Sequence, residues 1–210
     1  MNLRLFIAVE PPESVRRKLA AMQAVLGRPD PREEAAGQQP GARPSPANEV
    51  KWVAPEAIHL TLQFLGAVPE ENVERITAEL AAAATASRPL ILQVKGAGGF
   101  PNARRPRVLW AGLAGDVEPL TTLVQDLGRR LAPLGYPPEE RPFSAHFTLA
   151  RARDPRGAPG FGGGLAQLAA EKGVVWRAVE VCLFRSHLSP TGARYEVVAR
   201  APLGAPSEGS

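Results

Sequence analysis

The sequence predicts a chain of mixed strands and helices, folded as two similar lobes around one cleft. Three observations carry that reading. Along the 210 residues, stretches of alternating apolar residues take turns with stretches of helical spacing. The order strand, helix, strand, helix, strand is written twice. One small pattern, a histidine followed by an apolar residue, a threonine and a leucine, occurs once in each copy: "IHLTLQF" at 58–64 and "AHFTLAR" at 145–151.

Taken in order, "LRLFIAV" (3–9) is rich in branched and aromatic residues and reads as a strand. After Pro11 and Pro12, Val15, Leu19, Met22 and Leu26 recur at helical spacing until Gly27 ends the helix. Residues 28–49 are mostly Pro, Gly and small polar residues that bury no face, so a flexible insertion is expected there. "AIHLTLQFLGAV" (57–68) is the next strand, and Val73, Ile76 and Leu80 mark a second helix with Pro69 near its start. "PLILQVKGAGGF" supplies a strand that ends in glycines.

The second copy begins with the strand "RVLWAGL" (107–113), followed by the helical stripe Val117, Leu120, Val124, Leu127 and Leu131. "HFTLAR" is its histidine strand. A Gly/Pro-rich loop (153–164) and a short helix around "LAQLAAEK" come next, and "VVWRAVEVCLF" and "ARYEVVAR" are read as the two closing strands. The tail 201–210 is expected to be disordered, leaving a single two-lobed domain over 1–200. Val15 to His59 spans 44 residues against 29 from Val117 to His146; setting aside roughly 18 for the insertion leaves about 26, so the two histidine strands hold equivalent places.

Composition sets limits on function. The formal charge of +4 and pI near 9.7 suit an anionic partner without requiring one. Cys182 is the single cysteine, which excludes an internal disulfide and a cysteine-based metal cluster; in "VEVCLF" it reads as a buried, inert thiol. The start "MNLRLFIAVEPP" lacks the long apolar core of a signal peptide, and no apolar run approaches the length of a membrane span. A cytoplasmic monomer with no membrane partner is expected.

In a strand, side chains alternate, so His59 and Thr61 share one face while Leu60 and Leu62 share the other; His146 and Thr148 stand likewise against Phe147 and Leu149. With 7 threonines and 23 leucines in the chain, a given histidine is followed by this pattern roughly once in 270 by chance. Two of the three histidines carry it. Two imidazoles facing one cleft suit a reaction that needs a proton donor and a proton acceptor together. The neighbouring hydroxyls can orient phosphate oxygens, which is most of what phosphoryl chemistry requires. Zinc hydrolysis is disfavoured, since two histidines without a local third ligand make a poor zinc site. No cofactor and no metal are expected.

The stretches "RLFIAVEPP", "KWVAPEAIHLTLQFLG", "RVLW", "FSAHFTLAR" and "SHLSPTGARYEVVAR" resemble, in order, the RNA 2′,3′-cyclic phosphodiesterases of the two-histidine phosphoesterase superfamily, also called 2′-5′ RNA ligases or LigT-like proteins. The resemblance implies an α+β fold of two pseudo-symmetric lobes, each an antiparallel sheet with helices outside and the active-site cleft between them. It implies metal-independent hydrolysis of a terminal 2′,3′-cyclic phosphate to a 2′-phosphate, with weak reverse 2′-5′ ligation. Carried over, His59 is the acid for the departing 3′ oxygen and His146 the base that activates water. Thr61 and Thr148 hold phosphate oxygens, and Arg151 stabilises the phosphate. The implied partner is RNA ending in a 2′,3′-cyclic phosphate, tRNA fragments among the candidates.

Two departures stand out: Ala145 replaces a proline that commonly precedes the second histidine, and the insertion 28–49 is long. Arg151, five residues beyond His146, falls on the wrong face under strict alternation, so a bulge or strand end must turn it inward. Phe64 holds the position in the first motif that Arg151 holds in the second and reads as core, with base stacking as the rival reading. Arg104, Arg105 and Arg107 read as a solvated turn rather than phosphate contacts, His187 as surface, and Trp52, Trp110 and Trp176 as lobe packing. Two other functions remain open from sequence: a non-catalytic RNA-end binding module, and a cyclic phosphodiesterase acting on a small nucleotide such as an ADP-ribose derivative.

Overall fold

A computed structural model describes residues 1–28, 46–189 and 192–204. Residues 29–45 of the expected insertion and 205–210 of the expected tail lie outside the described residues. Among the described residues, nine strands form two antiparallel sheets. The first sheet has the order β3-β1-β8-β9, from β1 (Asn2–Val9), β3 (Leu60–Pro69), β8 (Glu180–Ser189) and β9 (Gly192–Pro202). The second has the order β2-β6-β5-β4-β7, from β2 (Val50–Trp52), β4 (Leu90–Phe100), β5 (Val108–Gly115), β6 (His146–Ala152) and β7 (Val175–Ala178).

Each strand turns alternate residues to a helix-covered core: Leu5, Ile7 and Val9 in β1, Leu90, Leu92 and Val94 in β4, Phe147 and Leu149 in β6. Among the described residues, four amphipathic helices cover that face. In α1 (Glu13–Leu26), Val15, Leu19, Met22 and Leu26 are buried, the stripe the spacing predicts. In α2 (Val73–Thr85) the buried set is Ile76, Leu80, Ala83 and Ala84, and in α3 (Val117–Leu131) it includes Leu120, Leu123, Leu127 and Leu131. The short α4 (Gly162–Ala169) buries Leu165 and Leu168. Truncating any one of the fully buried leucines to alanine costs about 2–5 kcal/mol.

The lobes are not the two halves of the chain. The first half contributes β1 and β3 to the first sheet and then sends β4 to the second; the second half contributes β5 and β6 to the second sheet and sends β8 back to the first. The orders β3-β1-β8-β9 and β6-β5-β4-β7 are one pattern, with β2 added outside β6. Helices cross too: α1, which follows β1, packs against β6 and α4, while α3, which follows β5, packs against β3 and α2. The histidine strands β3 and β6 therefore occupy equivalent places, and they approach each other within 8 Å, Cα to Cα.

Three segments differ from the expectation. "VVWRAVEVCLF" is not one strand: exposed Val179 breaks it, and β7 and β8 belong to different sheets. The short β2 pairs Val50–Trp52 with β6, although three residues leave no legible period. The tail is ordered further than residue 200, because β9 runs to Pro202, Leu203 is buried, and the Leu203 and Gly204 amides donate to the Val179 and Ala84 carbonyls at 2.8 and 3.1 Å.

Candidate active site

The two motifs begin with the same local device. The His59 Nδ1–H donates to the carbonyl of Ala57, two residues back, at 2.8 Å, and the His146 Nδ1–H donates to the carbonyl of Ser144, also two residues back, at 2.6 Å. A carbonyl only accepts, so each neutral ring carries its proton on Nδ1 and keeps a lone pair on Nε2. Ala57 is held for this by a single 3₁₀ turn, Pro55–Ala57, in front of β3.

The same irregularity follows in both strands. In β3 the register against β1 passes from Ala8↔Thr61 to Ile7↔Gln63, skipping Leu62; in β6 the register against β5 passes from Trp110↔Thr148 to Leu109↔Ala150, skipping Leu149. These are β-bulges. Leu62 and Gln63 are both buried, as are Leu149 and Ala150. Two successive inward residues reset the alternation, so the next residue returns to the face of the histidine and threonine. In β6 that residue is Arg151, which reaches the cleft face as the sequence required. In β3 it is Phe64, which is 57% exposed. The expectation of a core Phe64 is thus corrected: the β3 counterpart of the bulge that turns Arg151 to the cleft face expels Phe64.

The walls differ in character. On the cleft face of the first sheet, Phe6, Ala8, Cys182 and Phe184 form a small buried cluster with Tyr195 and Val197 against it. The His59 ring lies 4.6 Å from Phe6 and meets Tyr195 edge-on at 4.9 Å. Burial, and secondarily the positive charge of Arg151, push the His59 pKa below its ordinary 6.5 against the pull of its bond to Ala57. Arg151 belongs to the second sheet, and its charge acts on His59 where β3 and β6 approach each other. Burial raises the Tyr195 phenol pKa, opposed by the charges of Arg151 and Arg4. His146 has a thinner wall: Phe100 stands edge-on at 5.2 Å, and Trp110 covers Gly98 so closely that a Cβ there would meet its ring at 2.2 Å. Lys51 of β2 lies directly across from Arg151 and adds a second exposed cation to that rim.

Two glutamines tie the motifs together. Gln63, in the first bulge, donates to the carbonyls of Tyr136 and Pro137 at 3.0 and 3.3 Å, on the segment that leads to Ser144 and His146. Gln23 of α1 donates to the carbonyls of Val53 and Leu149 at 2.7 and 2.9 Å, joining the segment that leads to His59 to the second bulge. Sequence reasoning missed both glutamines, together with Tyr195, Lys51 and Arg4. Only the tertiary fold brings them to the site.

Of the remaining residues singled out by sequence, Arg104, Arg105 and Arg107 are exposed in the turn after β4, with Asn102 Oδ1 accepting the amides of Arg104 and Arg105 at 3.1 Å. His187 Nε2 pairs with Glu196 at 2.7 Å. Cys182 is buried and its thiol pKa is pushed up to about 12, chiefly by desolvation, so it is no nucleophile. Trp52 packs edge-on to Phe161 and Trp176 against Phe147. Among the described residues, no three His, Cys, Asp or Glu side chains gather as metal ligands do.

Comparison with known proteins gives a consistent picture. The family model described as LigT-like phosphoesterase matches residues 9–110 and 113–195. A protein of Methanothermobacter thermautotrophicus named RNA 2′,3′-cyclic phosphodiesterase is 30% identical over 195 residues, 93% of this chain and 96% of the relative. One of the same name from Thermus thermophilus is 32% identical over 206 residues, covering 96% and 90%. Among solved structures, a Thermus thermophilus protein superposes with a TM-score of 0.74 at 29% identity over 97% of this chain and 99% of the other. E. coli LigT complexed with 3′-AMP gives 0.69 at 25%, with the same coverages.

Proposed function

The chain belongs to the LigT-like phosphoesterase family, and from that premise we propose that it is an RNA 2′,3′-cyclic phosphodiesterase working by paired-histidine acid–base catalysis. The observation that supports the mechanism is the matched Nδ1–H bonding of His59 and His146, which leaves a free Nε2 lone pair on each neutral ring at the head of two strands that approach each other.

Water attacks the phosphorus of the cyclic ester and gives its proton to His146 Nε2. The P–O3′ bond breaks, and the departing O3′ takes the proton that His59 carries on Nε2 in its imidazolium form. The products are a 2′-phosphate and a free 3′-hydroxyl, and solvent returns the two imidazoles to their starting states. Burial makes the His59 imidazolium costly, so it sheds its proton readily; the anionic phosphodiester supplies the counter-charge that lets it form. Thr61 and Thr148 donate to the non-bridging oxygens, and Arg151 offsets the charge gathering on them. Proton transfer and charge stabilisation account for every step, and none is assigned to a metal. A 5′-hydroxyl in place of water gives the weak 2′-5′ ligation.

The structural neighbour that binds 3′-AMP supports a ribonucleotide phosphate as the group held in the cleft. A bare RNA-end binding module has no use for two imidazoles fixed in the same tautomer. The same reading takes residues 1–204 as one two-lobed domain, acting as a cytoplasmic monomer on cleaved RNA ends such as tRNA fragments. No helix among the described residues is long and apolar enough to cross a membrane. The test is turnover of a 2′,3′-cyclic nucleotide in excess chelator, with the product isomer identified. A 2′-phosphate from the wild type is expected; dependence on added metal, or a 3′-phosphate product, refutes the mechanism.

A further inference from the structure

The carbonyl that holds His59 is itself held from outside its strand. Ala57 ends the turn Pro55–Ala57, and two bonds within the turn steady its peptides: the Ala57 amide donates to the Ala54 carbonyl at 2.8 Å, and the Ile58 amide to the Pro55 carbonyl at 3.3 Å. A third bond comes from α1. Arg16 donates from Nη1 to the Glu56 carbonyl at 3.0 Å and from Nη2 to Glu10 Oε1 at 2.6 Å. The Glu56 carbonyl and the Ala57 amide share one peptide plane, so Arg16 and Ala54 pin that plane from opposite edges. The second Glu10 oxygen lies 3.6 Å from Arg200 of β9, which also pairs with Glu180 at the start of β8. The Arg16 side chain is only 18% exposed, and its planar guanidinium serves both acceptors at once. A cavity of about 360 Å³ opens beside the pair, lined by Glu10, Glu13, Arg16 and Arg177 among others, so Arg16 is not wedged into dense core. His146 lacks such a brace. Among the described residues, no side chain but its own donates to a carbonyl between 138 and 145, and Gln63 reaches only Tyr136 and Pro137.

We propose that Arg16, braced by Glu10, is a positioning residue for His59: it holds the Pro55–Ala57 turn so that the Ala57 carbonyl keeps the imidazole in its Nδ1–H tautomer and leaves Nε2 free. This rests on the activity proposed above and adds to it a residue that touches neither substrate nor reacting atoms. The tautomer of a neutral imidazole is set by the bond its other nitrogen makes. Once the turn is released, the Ala57 carbonyl drifts from the ring, and the proton can settle on Nε2 instead. His59 must also deliver its proton along one line to the departing oxygen, and a misplacement of about 1 Å is enough to slow such a transfer by about 10²-fold.

The experiment reads the imidazole nitrogens by NMR at alkaline pH, without substrate, in the wild type, Arg16→Met, Arg16→Lys and Glu10→Gln. Signals are assigned through His59→Ala and His146→Ala. In the wild type both rings are expected in the Nδ1–H form. Arg16→Met should turn His59 into a mixture of tautomers while His146 stays as it was, a change that a general loss of stability does not produce. On 2′,3′-cyclic AMP the same variant should lose about 10–100-fold in kcat with KM within about twofold, since the misplaced ring matters in the transition state and not in binding. Arg16→Lys, which keeps a cation for the Glu56 carbonyl, should recover most of both readouts. Glu10→Gln keeps the side chain's shape, should shift His59 in the same direction by less, and decides the matter if Arg16→Met does not fold. A His59 tautomer unchanged in these variants, a change shared equally by His146, or a loss confined to KM overturns the positioning role. A wild type that hydrolyses no cyclic nucleotide overturns the activity proposed above, and the spectra alone then decide whether Arg16 holds His59.

Discussion

The two motif strands start alike and part at one position. Both fix a histidine by its Nδ1–H on the carbonyl two residues back, both offer a threonine on the same face, and both insert a bulge immediately after. The residue that emerges from the bulge is Phe64 in one strand and Arg151 in the other. The surroundings follow suit, with His59 walled by Phe6 and Tyr195 and His146 flanked, among the described residues, by the ring of Phe100. A nucleotide is itself lopsided, with an anionic group at one end and a flat base at the other. A two-fold scaffold can therefore bind it in one orientation by changing a single residue type at equivalent bulges. The acid and base roles, interchangeable by symmetry, are assigned by which side of the cleft the base occupies.

The largest effect tests the symmetric part. His59→Ala and His146→Ala should each lower kcat by about 10²–10⁴-fold, the usual worth of a positioned proton-transfer group. Because the two act in one step, the double variant should fall little below the worse single one. Multiplying losses in single-turnover assays would show that they act independently. The next effect tests the asymmetric part. Arg151→Gln should lower kcat/KM by about 10²-fold through lost charge stabilisation, well beyond any change at Phe64, whose side chain carries no charge to offer the phosphate. Equal losses at the two positions would erase the distinction between a phosphate side and a base side.

A smaller effect separates the two bulges by how they are held. Gln63 is itself in the first bulge and buried, with Oε1 left unpartnered, whereas Ala150 fills the matching place in the second and Gln23 reaches it from α1. Gln63→Leu strands the Tyr136 and Pro137 carbonyls and should cost about 1–2 kcal/mol. Gln23→Leu leaves the Leu149 carbonyl its bond from the Val53 amide at 2.9 Å and should cost only about 0.5–1 kcal/mol. Denaturant midpoints at constant slope decide between them, and a larger loss at Gln23 would reverse the assignment.

The motif is legible because its logic is local. Period-two alternation places His59 with Thr61 and His146 with Thr148, and the mismatch at Arg151 announces the bulge from sequence alone. The same reasoning applies to Phe64, yet a phenylalanine in an apolar run reads as core unless its phase is tracked through the bulge. Helical stripes such as Val15, Leu19, Met22 and Leu26 are equally plain. The exchange of β4 and β8 between sheets is not, because pairing partners leave no trace in a strand's own period. The break at Val179 is of the same kind: one exposed valine in an apolar run is visible only when its neighbours join different sheets. Gln23 and Gln63 owe their partners to the crossing of the helices, and Arg4 its neighbour Tyr195 to the return of β8 and β9.

The smallest effect concerns how Arg151 of one lobe acts on His59 of the other. The pH profile of kcat/KM should be bell-shaped, since one imidazole must be charged and the other neutral, and its two limbs report apparent values that belong to the pair. Arg151 disfavours the His59 imidazolium by charge repulsion, so removing the guanidinium must raise the His59 pKa. In Arg151→Gln the limb that follows His59 therefore moves toward higher pH. The direction holds whichever histidine is the acid, because losing the guanidinium charge eases protonation of His59 in either role. High salt should shrink the difference between wild type and variant. Superimposable profiles would mean that Arg151 does not face His59, and the shared cleft would lose its electrostatic support.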